Sequence, residues 1–556
     1  MKKNDKFIGK CVAYNKEGSG IVKYDNIVFF VPGMIKDEVA EILCVKMLKS
    51  YGYGKIIKLI ETSKNRVEPR CEVYKKCGGC HLMHMNKIEQ QTFKTNVVND
   101  CFRSIANMDV SVNETLDMLD PYRYRNKVQV PFKADKGMME AGFYRLHSND
   151  IISFNDCLVQ TKDSNNIIRF IKENYYIPEL RHVLIKHAHN TDQIMIVLIV
   201  KKYPFSMQEK LINDLLNRFN NIHSIIANIN DKETNVILGN KEIVLAKDDH
   251  IQEELNGMYF NISSKSFYQI NPKQTKVLYD LAIEFANISK DDLVIDLYCG
   301  TGTIGLLASK YAKKVIGVEI VEQAIEDAKV NAINNHVDNI EFICADAAKG
   351  ANLLLERNIK SDVVIVDPPR KGCDKQTLEA ISIFDPSRLV YVSCDPATLA
   401  RDCKILCEQY HYQIKKIQPV DMFPNTSHVE TVCLLSKLHE AKHHVNVTVD
   451  MDEMDLSSWS TARCMKMWQS SFKWLNRCSY GFRWCTVINR WGNLYVVCNN
   501  KNPLENMRRV HEVYRGATFV FDTKMSDFHN QTMELFYLSG TSCFVNSGIT
   551  HAHQSL

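Results

Sequence analysis

The alternation of short apolar runs with helix-length stretches between about residues 260 and 437 restricts the fold of this chain more than any other feature. The runs LVIDLYC, VIGVEI, IEFICA, VVIVD, LVYVSC and TVCLLS read as strands. Strands alternating with helices form a parallel, doubly wound sheet, because a parallel neighbour is reached only through a crossover, which a helix supplies. The first run enters a glycine-rich turn and a helix, LVIDLYCGTGTIGLLAS, in which Gly300, Gly302 and Gly305 form G-x-G-x-x-G. Such a turn brings the backbone close to a ligand and points a helix N-terminus at negative charge. The second run ends in Glu319, where a carboxylate can accept hydrogen bonds from both ribose hydroxyls. Nicotinamide and adenosylmethionine enzymes share both features, so these two do not choose between them. Asp346, after the third run, sits where many adenosylmethionine enzymes contact the adenine side, and it equally suits a helix N-cap.

Three further motifs fall near strand ends, where open α/β sheets bind ligands. In VVIVDPPRKG, Asp367 precedes two prolines that stiffen the loop and remove backbone donors. In LVYVSCDPATLARD, Cys394 lies between a strand end and a helix start, a position that favours thiolate. In VDMFPNTSHVETVCLLS, Glu430 follows His428 and enters an apolar strand, where a carboxylate is costly unless paired or working. A thiol and a carboxylate together suit one reaction on uracil. C5 of uracil is a poor nucleophile, and a thiolate added at C6 makes an enolate that is nucleophilic at C5. Once C5 has taken a methyl group from a sulfonium, its proton leaves to a general base and the thiol is eliminated. Cys394 fits the nucleophile and Glu430 the base.

The set FYQIN, DLYCGTGTIG, DPPRKG, SCDPATLARD and DMFPNTSHVE resembles the bacterial RNA uracil-5-methyltransferases over about residues 7–437. The resemblance implies an α/β, Rossmann-like class I methyltransferase domain with S-adenosylmethionine as cofactor, Cys394 as nucleophile and Glu430 as base. It also implies that Gln269, Tyr298, Glu319 and Asp367 line the site for the cofactor and the target base. One common form of the nucleophile motif has Asn where this chain has Asp395, and Asx there still makes local turn hydrogen bonds. Near the start, β-rich runs broken by Gly18, Gly20, Pro32-Gly33, Gly52 and Gly54 read as a small barrel of four or five strands. The stretch GSGIVKYDNIVFFVPGMIKDEV resembles the RNA-binding barrel called TRAM, with an OB-like fold, over roughly residues 7–62.

The chain has 19 cysteines and a basic start, MKKNDKFIGK, without an apolar core behind it. Reduced thiols, a metal site or a catalytic thiol are therefore expected in place of disulfides. Cys71, Cys77 and Cys80 form C-x5-C-x2-C, most of a tetrahedral soft-ligand site for which zinc is the generic occupant. The spacing resembles the iron–sulfur branch of the same family, which acts on large-subunit ribosomal RNA. In that branch a fourth cysteine follows a G-F-Y-R segment, and in GFYRLHSNDIISFNDC that residue is Cys157. The resemblance thus implies a 4Fe-4S cluster on Cys71, Cys77, Cys80 and Cys157, with a structural or RNA-shaping role. The tRNA-specific branch typically lacks the set, so 23S ribosomal RNA is the expected partner.

Four segments are expected: a TRAM-like barrel at 1–62, an iron–sulfur and central RNA-binding domain at 63–255, a methyltransferase domain at 256–437 and an extension of unknown role at 438–556. A helix near 87–107 is expected to pack on the methyltransferase domain. Residues 1–70 carry 14 Lys/Arg against 8 Asp/Glu, a surplus that suits a polyanion, while the whole chain is only +4. In PYRYRNKVQVPFK, Arg123, Arg125 and Lys127 interleave with Tyr122 and Tyr124, cations for phosphates and rings for unstacked bases. A target base must be flipped out of its stack for C5 to be reached. No run reaches the roughly 18 apolar residues of a membrane helix, and a cytoplasmic monomer without a membrane partner is expected. All five tryptophans fall between Trp459 and Trp491, a compositional break that suits an appended domain, a poorly packed extension or the product of a reading-frame change. No catalytic residue is expected in that tail. Rival readings are a tRNA enzyme of the same chemistry, a nicotinamide dehydrogenase, which SCDPATLARD and HVET argue against, and a non-catalytic iron–sulfur RNA-binding or ribosome assembly protein.

Overall fold

The computed structural model describes residues 1–146, 148–232 and 236–437, and beyond them the strands Val445–Val449, Cys485–Arg490, Asn493–Cys498, Val520–Asp522, Phe544–Ser547 and Thr550–His551. The chain divides into Met1–Leu438 and His439–Leu556, and the strands of the second unit pair into one sheet. The five tryptophans, and the expectation that 438–556 holds no catalytic residue, lie outside the described residues.

The first strands, Lys6–Tyr14, Gly20–Tyr24, Ile27–Val31, Val39–Met47 and Tyr51–Glu61, close into a five-stranded barrel. Period-2 alternation sorts their side chains: Phe7, Cys11, Val22, Phe29, Val31, Ala40 and Ile42 fill the interior, while Lys6, Lys10 and Lys23 face out. Ile35, at one end of the barrel, packs with Leu82, Met85 and Phe93, joining the barrel to the helix Lys87–Cys101. That helix continues through a π-helical turn, Phe102–Ala106, and its Val98, Phe102 and Ala106 enter the core of the C-terminal sheet.

Residues 127–247 form a seven-stranded sheet covered on one face by helices Lys162–Asn174 and Gln208–Arg218. Its other face contributes Leu184, Met195, Val197, Ile199 and Ile226 to the core shared with the C-terminal sheet. Cover on both faces explains why QIMIVLIV is apolar without alternation.

The C-terminal sheet runs in space Ile340–Cys344, Lys314–Glu319, Leu293–Leu297, Val363–Val366, Arg388–Ser393, Glu430–Lys437, Tyr412–Val420. The first five strands are parallel, as the alternation predicts. The order reverses between Leu293–Leu297 and Val363–Val366, the crevice at which doubly wound sheets bind ligands. The strand Tyr412–Val420, absent from the sequence reading, lies at the sheet edge, where its Gln and Lys side chains interrupt the apolar pattern. Glu430–Lys437 pairs antiparallel to both its neighbours, because the loop before it carries no helix to make a crossover.

Candidate active site

Five strand ends place five of the predicted residues in a row along one rim of this sheet. Glu319 ends Lys314–Glu319, Tyr298 follows Leu297, Asp367 follows Val366, Cys394 follows Ser393, and Glu430 opens the antiparallel strand. Ser393 is paired with Thr431, so one further step of the register sets Cys394 opposite Glu430. The antiparallel entry of the last strand is thus what brings the thiol and the carboxylate together.

Burial and the carboxylates at this rim raise its acids and its thiol. Glu430 is 3% exposed, and burial, then the Asp367 charge, push it up to about 8, opposed by Arg370. Burial pushes Asp367 up to about 7. Cys394, half-buried, is pushed up to about 12 by burial and then by Glu430 and Asp367, again opposed by Arg370. The helix start after Cys394 suggested a stabilised thiolate, and the structure corrects that expectation. Asp395 takes the free Ala397 N–H as N-cap (2.9 Å), and the two nearby carboxylates and burial outweigh the helix terminus. Arg370 is the cation common to this cluster: it also lowers His428, which burial holds at about 4.

The glycine turn is built to admit a ligand. Gly300 and Gly302 have φ of +55° and +80°, and a Cβ on Gly300 would meet nothing within 4 Å. Tyr298 takes φ +65°, a costly conformation for a residue with a Cβ, and its hydroxyl lies 3.4 Å from Thr377 Oγ1. Glu319 accepts the N–H groups of Gly300 (3.1 Å), Ile320 (2.8 Å) and Val321 (2.9 Å), which ties the end of its strand to the turn. Gln269 is buried beside the Tyr279 hydroxyl, which also feels Asp367 and Asp296. Asp346 caps the helix Ala347–Glu356 by accepting the Ala348 N–H.

The sequence reading passed over Asp296. It is fully buried beneath the turn, and neither oxygen has a partner of hydrogen-bond geometry among the described residues. Burial, then Asp367, push it up to about 8. Its signal was there to read: a lone carboxylate inside the apolar run LVIDL. The unpaired acid below the open glycine turn fits a cofactor with a polar, cationic portion.

The loop from Asp421 to Val429, which delivers Glu430, is held from several sides. The fully buried Lys94 pairs with Asp421 and donates to the Phe423 carbonyl. Asn271 donates to the Met422 carbonyl, Gln274 to the Asp421 carbonyl, and Gln90 accepts the Asn425 N–H. The N–H groups of His81 and Leu82 both reach the Asn425 carbonyl at 3.0 Å. Tyr124 is turned inward, not towards solvent, and its hydroxyl donates to the Pro424 carbonyl. That overturns its expected role of stacking on RNA bases. Arg123 is likewise engaged, paired with Asp156 and donating to the Cys157 carbonyl.

Cys71, Cys77, Cys80 and Cys157 come together around one cavity of about 630 Å³, although Cys157 is distant in sequence. The G-F-Y-R segment makes this possible: Arg145 bridges Cys77, and the Tyr144 carbonyl accepts the Gly78 N–H. All four are free thiols. Among the described residues the donor set closing to within 4.8 Å is Asp163, His187 and Asp192, so no three of these sulfurs stand that close. One tetrahedral zinc with bonds of about 2.3 Å holds its sulfurs about 3.8 Å apart.

A family model described as tRNA (Uracil-5-)-methyltransferase matches residues 88–438. An RNA methyltransferase of Clostridium tetani is 45% identical over 454 residues, covering 80% of this chain and 98% of that protein. One from Oceanobacillus iheyensis is 43% identical over 434 residues, covering 76% of this chain and 94% of the relative. Among solved structures, the tRNA (uracil-54, C5)-methyltransferase of Pyrococcus abyssi in complex with S-adenosyl-L-homocysteine is similar with a TM-score of 0.60 and 26% identity, over 77% of this chain and 100% of that one.

Proposed function

The chain belongs to the RNA uracil-5-methyltransferase family, and from that premise we propose that it methylates C5 of a uridine in 23S ribosomal RNA, with Cys394 as nucleophile and Glu430 as base. The observation that carries this reading is the register that sets Cys394 opposite Glu430 at the sheet rim, beside Asp367. In the RNA-free protein both groups hold their protons at neutral pH. Cys394 and Glu430 must each release a proton to solvent before the sulfur bonds to C6, a loss favoured by the nearby Arg370. The C4 carbonyl then takes up the electron pair as an enolate, and C5 becomes nucleophilic. The glycine turn, Glu319 and Gln269 would hold S-adenosylmethionine, which would supply the methyl group for C5 and leave as S-adenosylhomocysteine with the electron pair of the broken sulfur–methyl bond. The Glu430 carboxylate then takes the C5 proton, and the pair from that C–H bond expels the Cys394 thiolate from C6.

A 4Fe-4S cluster on Cys71, Cys77, Cys80 and Cys157 belongs to the same reading, supported by the four free thiols around one cavity. When bound it supplies iron–thiolate bonds that tie residues 71–80 to the Cys157 loop. Those residues lead directly into His81 and Leu82, which hold the loop that carries Glu430. The cysteine set favours ribosomal RNA. A second reading, a tRNA substrate, is favoured by the activity of the similar Pyrococcus abyssi enzyme.

The test is denaturing electrophoresis of the enzyme with 5-fluorouridine-containing RNA and S-adenosylmethionine, since fluorine cannot leave as a proton does. A retarded band with wild type and ribosomal RNA fragments, absent with Cys394→Ala, supports the reading. A band with tRNA fragments only moves the substrate to tRNA, and none with either RNA overturns the mechanism.

A further inference from the structure

The outer face of the N-terminal barrel carries an aromatic group that the interior does not need. Strand Ile27–Val31 runs parallel to Tyr51–Glu61, with Val28 paired to Tyr51 and Phe30 to Tyr53. The pleat turns Phe29, Gly52 and Gly54 inward and leaves Phe30, Tyr51 and Tyr53 outside. The three rings touch: Phe30 lies 5.5 Å from Tyr51 and 6.0 Å from Tyr53, and Tyr51 lies 5.7 Å from Tyr53. Tyr51 acts on the Tyr53 hydroxyl, and Tyr53 is 40% exposed. Gly52 leaves room inside the barrel for the Phe29 ring, since a Cβ there would strike that ring at 2.4 Å.

The surroundings are basic. Lys23 pairs with Val28 beside Phe30, Lys46 pairs with Tyr53, and Lys55 follows two residues later on the same face as Tyr53. None of these three lysines has a carboxylate partner among the described residues, whereas Lys6 and Lys10 do. Glu17 is the acid within electrostatic reach of Tyr53. Its neighbour Lys16 acts on Cys101, which also feels Asp395, the residue after the nucleophile. The loop beside the aromatic group therefore borders the helix that leads to the active site.

We propose that Phe30, Tyr51 and Tyr53 form a stacking platform for an unpaired base of the substrate RNA, with Lys23, Lys46 and Lys55 taking the adjoining phosphates. Rings accept any base face, and unpaired lysines hold the backbone, so the platform selects single-stranded RNA over duplex. It would hold the strand flanking the target uridine while that base is in the active site. The inference rests on the RNA substrate of the proposed function, but not on the roles of Cys394 and Glu430.

The experiment measures binding of the full chain to a fluorescein-labelled single-stranded RNA and to the same RNA as a duplex, at fixed salt. Tyr53→Ala, and Tyr51→Ala with Tyr53→Ala, should weaken single-strand binding about tenfold or more, the range for loss of base stacking, while duplex binding holds. Tyr53→Phe keeps the ring and should bind within about twofold of wild type. Ala variants that bind the single strand like wild type, that lose single strand and duplex alike, or a Phe variant as weak as Ala would overturn the platform. A wild-type enzyme that shows the binding contrast without forming an adduct would leave the platform standing and count against the Cys394 mechanism.

Discussion

Glu430→Gln should speed the alkylation of Cys394 only where Glu430 is charged. Burial, then Glu430 and Asp367, move this thiol from its ordinary 9.0 to about 12. At pH 9 an ordinary thiol is about half thiolate, whereas one at about 12 is thiolate in about one part per thousand. Alkylation of the wild-type residue should therefore be some hundreds of times slower than that of a free thiol. Two unit charges about 6 Å apart, at an effective dielectric of about 20, repel by about 3 kcal/mol, roughly two pK units. That is the upper end of the share Glu430 contributes, so the variant should react about 10- to 100-fold faster at pH 9. At pH 6 Glu430, held up to about 8, carries its proton, and variant and wild type should react alike. The assay is iodoacetamide labelling followed by mass spectrometry of the peptide containing Cys394, which separates it from the other cysteines. A rate ratio that is the same at both pH values, or no acceleration at pH 9, would refute the electrostatic coupling across the register.

Two further substitutions probe the supports of the site. Lys94→Ala leaves the buried Asp421 without its cation and should cost about 3–5 kcal/mol, seen as a clear fall in apparent Tm by differential scanning fluorimetry; a Tm within a degree of wild type would show that the pair does not hold the loop. Gly302→Ala forces a Cβ onto φ +80° and against the Phe342 ring at 3.0 Å, so S-adenosyl-L-homocysteine binding should weaken by about 5- to 30-fold in calorimetry, from about 1–2 kcal/mol of strain. Unchanged affinity would place the cofactor away from this turn.

The reading of the chain and the structure diverge at identifiable residues. The glycine turn, the strand ends at Asp367 and Cys394 and the outline of the barrel were legible because each depends on local geometry: backbone that needs glycine, period-2 alternation, apolar runs that end in polar residues. Tyr124 was misread because an alternating basic–aromatic strand looks the same whether its ring meets RNA or the catalytic loop. Asp296 was passed over although it is a lone carboxylate inside the apolar run LVIDL, and that neither oxygen has a partner is decided only by the fold.

By itself, the sequence determined which residue types stand at which strand ends, and so the parallel half of the sheet and the candidate chemistry. Only the tertiary structure decided that Glu430–Lys437 enters antiparallel and faces Cys394, that the thiol rests protonated, and that residues 71–80 and 157 enclose one cavity. The reason is physical. Local propensity acts over a few neighbouring residues, whereas strand register, burial and the repulsion between charges depend on groups that meet only after the chain has folded.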